Sequence, residues 1–117
     1  MRVIGVIGLN GSGKDEVVKY LNKKYGVPLI SVGDIVRNLA TQQGVDPTRD
    51  NLDKITKSCF SRYGKGYFLK QVVEQIRRNK WQTVGISGIR SPEDIAILRE
   101  NFASDFVLIH VFITDPV

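Results

Sequence analysis

Apolar runs and helix-period stripes alternate along this 117-residue chain. Residues 2–7 (Arg2-Val3-Ile4-Gly5-Val6-Ile7) are β-branched and apolar, and predict a buried strand. A glycine-rich turn follows. A helix is then predicted over 14–25, with Val17, Val18 and Leu21 on one face. After the break at Gly26, residues 27–31 predict a second, short strand. Ile35, Val36, Leu39 and Ala40 form one stripe, which predicts a helix over 34–43 that Gly44 stops. Asp50 or Asn51 is the expected cap of a third helix reaching Tyr63, with Leu52, Ile55, Cys59 and Tyr63 inward.

Gly64-Lys65-Gly66 breaks the pattern again. Residues 67–79 predict a fourth helix, with Phe68, Leu69, Val72, Val73 and Ile76 toward the core, and residues 83–87 a third strand. Ser91-Pro92-Glu93-Asp94 is a helix start: Ser91 as N-cap, Pro92 at the first helical position, acids in the first turn. That helix is expected to reach Phe102, and 106–113 is a long apolar fourth strand. Strands that are apolar throughout and alternate with helices predict an α/β fold: a parallel sheet flanked by helices on both faces. The chain shows no internal repeat and no low-complexity segment.

Composition narrows the picture. The length suits one domain, residues 1–117, with a real core. No stretch is long and apolar enough for a bilayer, so no membrane partner is expected. The N-terminal apolar run lacks a small-residue cleavage site and reads as a strand, not a signal peptide. A lone cysteine, Cys59, fits a reducing compartment and a cytoplasmic protein. Its place in a helix stripe makes it a small core residue. The net charge of +5 suits polyanionic ligands. No basic stripe is interleaved with aromatics, so nucleic acid is not an expected partner. No His/Cys/Asp group has zinc-site spacing. There is no G-x-S-x-G nucleophile motif, and no N-K-x-D motif of the kind switch GTPases use to read guanine.

The chemistry concentrates near the N-terminus. Gly8-Leu9-Asn10-Gly11-Ser12-Gly13-Lys14 fits G-x-x-x-x-G-K between a predicted strand and a predicted helix. Phosphate oxygens need consecutive inward main-chain N–H groups, and glycine permits the backbone angles. The helix N-terminus adds unpaired donors and a favourable dipole. Gly8, Asn10, Gly11, Ser12, Gly13 and Lys14 are thus the expected nucleotide-binding residues, with Lys14 the charge on the β- and γ-phosphates. Asp15 stands where Ser or Thr usually ligates Mg²⁺. Two readings of it stay open: a carboxylate ligand to Mg²⁺, and a favourable charge at the helix start.

Further motifs follow in order: Lys14-Asp15-Glu16, Ser31-Val32-Gly33-Asp34-Ile35-Val36-Arg37, Thr48-Arg49-Asp50-Asn51-Leu52, and Ser87-Gly88-Ile89-Arg90-Ser91-Pro92-Glu93. This succession resembles the P-loop kinases of the nucleoside monophosphate kinase superfamily, above all the dephospho-CoA-kinase-like branch. The branch includes archaeal kinases and P-loop domains fused to deoxycytidylate deaminases. The resemblance implies a three-layer P-loop NTPase fold with ATP and Mg²⁺. It implies that Asp34 and Arg37, on one helix face, hold an acceptor, and that Arg90 binds substrate phosphate at the carboxyl edge of the sheet. Without a ligand the same Asp34 and Arg37 read as an exposed ion pair of small value.

The family's third strand ends in Asp-Gly-x-Arg; here Ser87 replaces the acid that helps to place magnesium. The family also continues past the fourth strand with an arginine-bearing lid and a fifth strand, whereas this sequence stops at Val117. The expectation is therefore a C-terminally incomplete domain, either a fragment or a form that lost the lid. Its open edge invites self-association into a homo-oligomer.

The implied reaction is γ-phosphoryl transfer from ATP to a small phosphorylated or nucleoside-like acceptor. Lys14, Asp34 and Arg90 are the catalytic candidates, and Asp34 orients or deprotonates an acceptor hydroxyl. The alternative is a catalytically degenerate nucleotide-binding module acting beside a partner domain such as a deaminase. Arg62, Lys65 and Tyr67 flank the glycine break and are expected either to clamp substrate or to form a solvated turn. His110 and Trp81 read as structural, and Asp115 as a turn residue with Pro116.

Overall fold

A computed structural model describes residues 1–8 and 13–112. The expected contributions of Asn10, Gly11, Ser12 and Asp115, and the predicted strand end at Ile113, lie outside the described residues. Four strands, β1 (Arg2–Gly8), β2 (Leu29–Ser31), β3 (Thr83–Ser87) and β4 (Phe106–Val111), form one sheet in the order β2-β3-β1-β4. Every pairing is parallel: Val3 lies opposite Val84 and Phe106, and Ser31 opposite Ser87. Five helices intervene: α1 (Lys14–Tyr25), α2 (Val32–Gln42), α3 (Arg49–Tyr63), α4 (Tyr67–Asn79) and α5 (Pro92–Phe102). The α/β fold with a parallel sheet is the one the periodicity predicts.

The helices α2 to α5 share one core with the sheet. Val3, Val84 and Ile86 from the strands meet Val36, Val72, Ile76, Leu98 and Phe102 from the helices, all buried. Alternation along β1 sends the neighbouring side chain the other way. Val6 is buried apart from that core, as are Val18 of α1 and Val27, and α1 packs on β1 and β3. The result is three layers. β2 and β4 are the outer strands of the described sheet, and β4 leaves Val107 exposed. Among the described residues no helix is long and apolar enough to cross a membrane.

Close approaches explain two glycines. A Cβ on Gly66 would stand 2.2 Å from Ile97 Cδ1, so a side chain there would make the end of Ile97 turn away where α4 starts against α5. A Cβ on Gly5 would stand 2.7 Å from Ile89 Cδ1 and 3.0 Å from the Phe106 ring.

The helix stripes hold with local corrections. In α4, Phe68, Leu69, Val72, Val73 and Ile76 are all buried, and so are Ile55 and Cys59 in α3. Tyr63 is not inward as expected: it is 53% exposed and stacks on Tyr67 with ring centroids 4.5 Å apart. A tyrosine at a helix end satisfies its apolar ring on a neighbouring aromatic and keeps its hydroxyl in water. The second strand is shorter than expected, and α2 begins at Val32, not at Asp34. Ser31 closes the strand and also caps the helix, its Oγ accepting from the Asp34 N–H at 3.3 Å.

The third helix is capped by Thr48, not by Asp50 or Asn51. Thr48 Oγ1 accepts from the Asn51 N–H at 3.3 Å. Asn51 instead sends Nδ2 to the Asp46 carbonyl at 3.0 Å, and Asp50 falls in the first turn. Thr48→Ala is expected to cost about 1 kcal/mol through the lost cap, read as a lower urea midpoint at unchanged slope. An unchanged midpoint would return the cap to a neighbour.

Candidate functional site

Parallel strands direct the site to one edge. β1, β2 and β3 all end there, at Gly8, Ser31 and Ser87, and α2 starts directly after β2. Ligands in open α/β sheets bind at this carboxyl edge. Two clefts open on it.

The first cleft, about 280 Å³, is lined by Gly8, Lys14, Arg90, Ser91 and the apolar Ile7 and Ile95. Lys14 opens α1 and is half-buried, and its Nζ donates to the Gly8 carbonyl at 2.9 Å. That bond ties the ammonium to the end of β1. Gly13, just before it, has φ of 90°, a left-handed conformation that glycine adopts without strain. Asp15 and Glu16 are exposed in the first turn of α1. The expected Gly8, Gly13, Lys14 and Asp15 are thus brought together around one helix start.

The second cleft is a cavity of about 170 Å³ among α2, α3, α4 and the start of α5. Its walls include Val32, Val36, Phe60, Phe68 and Leu69, with Thr56, Lys65, Arg90 and Asp94 among its polar lining. Phe60 and Phe68 meet with ring centroids 5.8 Å apart. Gly88 brings the two halves of this cavity together. It has φ of 88°, and an added Cβ would lie 3.1 Å from Val32 Cβ and 3.4 Å from the Gly33 N–H. Only glycine lets the end of β3 turn left-handed and touch the start of α2.

Arg90 and Ser91 line both clefts. The Ser91 side chain caps α5 by accepting from the Asp94 N–H at 3.3 Å, and Asp94 Oδ2 accepts from the Arg90 N–H at 3.1 Å. The reciprocal pair fixes the chain on both sides of Ser91. Asp94 is the buried charged residue among those described, 7% exposed.

Asp34 and Arg37 are brought together but do not line either cleft. Arg37 donates through Nε to Asp34 Oδ1 at 3.2 Å and also through Nη2, and both side chains are largely exposed. The guanidinium lies over Gly33, which does line the cavity, so the pair sits at its rim. Of the glycine-break residues, Lys65 lines the cavity and stands 3.9 Å from Glu93, whereas Tyr67 stacks on Tyr63. Ser87 ends β3 half-buried and brings no carboxylate to the edge. His110 is exposed and stacks on Phe112, with ring centroids 4.1 Å apart. Trp81 is partly buried against the core, as a packing role predicts. Among the described residues no group of three or more His, Cys, Asp or Glu is placed to hold a metal ion.

The sequence reading missed the cavity itself. Phe68 reads as core, Asp94 as a first-turn acid, and Phe60 falls outside the predicted stripe, so their convergence is a product of packing between distant helices. The available signal was the capping motif at Ser91-Pro92-Glu93-Asp94 directly after Arg90, which places a first-turn acid beside the arginine.

Sheet order, helix layers and the Lys14 cleft together define an α/β domain of the P-loop kinase-like fold. Solved structures bear this out. A gluconokinase from Sinorhizobium meliloti 1021 superposes with a TM-score of 0.52 at 21% identity, over 93% of this chain and 56% of its own. A sugar kinase from Janibacter sp. HTCC2649 superposes with a TM-score of 0.55 at 20% identity, over 95% of this chain and 60% of its own. The chain belongs to the family described as AAA domain, whose model matches residues 7–111. Its relatives include a UPF0200 protein of Thermococcus onnurineus (strain NA1), 33% identical over 116 residues, which are 97% of this chain and 62% of that one. A UPF0200 protein of Halobacterium salinarum is 33% identical over 113 residues, 95% of this chain and 58% of its own. The chain thus spans about three-fifths of the length of these curated relatives.

Proposed function

We propose that the chain forms the nucleotide- and acceptor-binding part of an ATP-dependent small-molecule kinase. One observation carries the reading: Arg90 lines both the Lys14 cleft and the cavity among α2 to α5. A cation shared by two adjoining clefts is what transfer between two anionic ligands needs. The nucleotide triphosphate lies in the Lys14 cleft and the acceptor in the cavity. An acceptor oxygen attacks the γ-phosphorus, the bond from that phosphorus to the β–γ bridging oxygen breaks, and ADP leaves. Lys14 and Arg90 draw off the charge that gathers on the transferring group. The likeness to a gluconokinase and a sugar kinase supports the fold such chemistry uses; the acceptor is a separate question.

The residues present fit a magnesium ion carried in with the nucleotide. Mg²⁺ keeps several waters and takes one or two carboxylates plus substrate phosphates, and the exposed Asp15 stands at the start of α1 to supply one. The ion would neutralise β- and γ-oxygens. Asp34 and Arg37 remain the rim pair that meets an acceptor entering the cavity, and Asp34 orients or deprotonates a hydroxyl where the acceptor brings one. The dephospho-CoA-kinase-like version of this reading rests on the succession of motifs, and the nucleotide-kinase-like version on the cavity.

Ser87 favours a second reading, a degenerate nucleotide-binding module working beside a partner such as a deaminase, because no acid stands at the end of β3. The test is ADP formation with Mg²⁺-ATP across a panel of phosphorylated, nucleoside and sugar-acid acceptors. The kinase reading expects release that depends on one acceptor class and is at least tenfold above the acceptor-free rate, a separation of about 1.4 kcal/mol in barrier. Nucleotide binding with no acceptor-dependent release would hand the case to the module.

A further inference from the structure

The sheet has a second edge, opposite the two clefts, and the end of α1 sits there. The apolar side of this helix packs on β1 and β3, with Val18 buried and Val17 and Leu21 half-buried. Its outward side carries Lys19, Tyr20, Lys23, Lys24 and Tyr25, all exposed. Lys19 and Lys23 are four residues apart, as are Tyr20 and Lys24, so two adjoining ridges interleave charge with rings. From residue 17 to residue 33 the chain holds these three lysines and no acid.

The rings stand in water. Tyr20 and Tyr25 are 52% and 63% exposed, and they meet edge to face with centroids 6.2 Å apart. Lys24 Nζ lies 5.4 Å from the first centroid and 5.7 Å from the second. A cleft of about 500 Å³ opens beside Tyr25, lined also by Leu21, Pro28, Trp81, Gln82 and Thr83. Arg2 and Lys80, both exposed, adjoin it along the chain. Lys80 precedes Trp81, and the Arg2 N–H donates to the Gln82 carbonyl at 2.7 Å. A cavity of about 150 Å³ holds one benzene-sized ring, so a nucleobase with its sugar has room here.

Charge complementarity selects a ligand with several phosphates, and the rings select one with flat faces. A membrane surface would need aliphatic side chains directed outward, and those of α1 face the sheet. A duplex hides the faces of its bases. Single-stranded nucleic acid offers phosphates and open base faces together. The sequence shows no long basic stripe with aromatics; the fold assembles a short one from α1 and the segments that lead into β1 and β3. We propose that this end of the molecule binds single-stranded RNA or DNA, with phosphates on Lys19, Lys23 and Lys24 and one base stacked on Tyr25 in the cleft beside Trp81. Tyr25 lies about 16 Å along the helix from Lys14. The surface is therefore separate from the Lys14 cleft and goes beyond the kinase reading.

The test is fluorescence anisotropy of labelled oligouridylate and oligothymidylate, about twelve nucleotides long, with saturating Mg²⁺-ADP present. Binding is expected with a Kd of about 1–100 µM at low salt. The slope of log affinity against log salt is expected near −2, from about −0.7 for each of three lysines. Trp81 is the lone tryptophan, and its emission is expected to be quenched on binding. Tyr25→Ala should weaken binding about 5–100-fold, the loss of one stacked base, and Tyr25→Phe should retain it. Lys23→Gln combined with Lys24→Gln should flatten the salt slope by about 1.4. All three side chains are exposed, so the melting temperature of these variants is expected to hold.

No binding at low salt would overturn the proposal. So would a blunt duplex bound as tightly as the single strand, or a Tyr25→Ala variant that binds unchanged. Vesicles of phosphatidylserine and phosphatidylcholine, bound in preference to the oligonucleotides, would assign the surface to a membrane instead. Loss of oligonucleotide binding in Lys14→Ala would place the strand in the Lys14 cleft and overturn the proposal as well. The kinase reading stands or falls separately, on ADP formation.

Discussion

Lys14→Ala is expected to lower the rate of phosphoryl transfer about 10²–10³-fold, the loss seen when one preorganised charge-stabilising donor is removed, and to weaken ATP binding. The reason lies in where the ammonium is held. Lys14 is the first residue of α1, and its Nζ is tied to the Gly8 carbonyl at the end of β1. A phosphate arriving at this helix start would meet the ammonium together with the N-terminal N–H groups of α1, so the charge acts at short range in a half-buried cleft. The folded state loses far less, because each partly buried hydrogen bond contributes about 0.5–1.5 kcal/mol. Titration calorimetry with Mg²⁺-ATP, initial rates of ADP formation and thermal melting separate these effects. Unchanged nucleotide affinity would remove the phosphate cradle from the Lys14 cleft.

The second large effect is on stability. Leu98→Ala is expected to cost about 2–5 kcal/mol, the usual range for emptying a fully buried leucine site. For a domain whose whole margin is about 5–15 kcal/mol, that is a serious fraction. Leu98 has no exposed surface, and it follows Asp94 and precedes Phe102 at four-residue steps. The three form the buried stripe of α5, and the middle one anchors it. Melting is expected to fall by roughly 10–20 °C. A drop of only a degree or two would mean that α5 does not pack on the core as described.

How much of this was legible in the sequence differs by element. α4 was readable residue by residue, because Phe68, Leu69, Val72, Val73 and Ile76 repeat at helical spacing and both ends are marked. The start of α2 was not. Val32 follows an apolar strand and looks like its continuation, and only the turn at Ser31, serving as both strand end and cap, separates them. The cap of α3 was misplaced because Thr48, Asp50 and Asn51 are all good caps, and the choice depends on where the chain leaves Pro47. Strand order was outside reach, since each strand is apolar on both faces and pairing is a long-range property. The Lys14 end of the site was local and could be read; the cavity was not, because Phe60, Phe68 and Asp94 come from three different helices.

Asp94 grips the main chain of Arg90 and also lines the cavity. Arg90 itself also lines the Lys14 cleft. A ligand on either side would therefore touch one five-residue segment, 90–94. Linkage makes any coupling through it mutual: whatever factor one ligand imposes on the other's affinity is returned in full. On the proposed kinase reading, nucleotide and acceptor would then assemble as a pair, each raising the other's affinity.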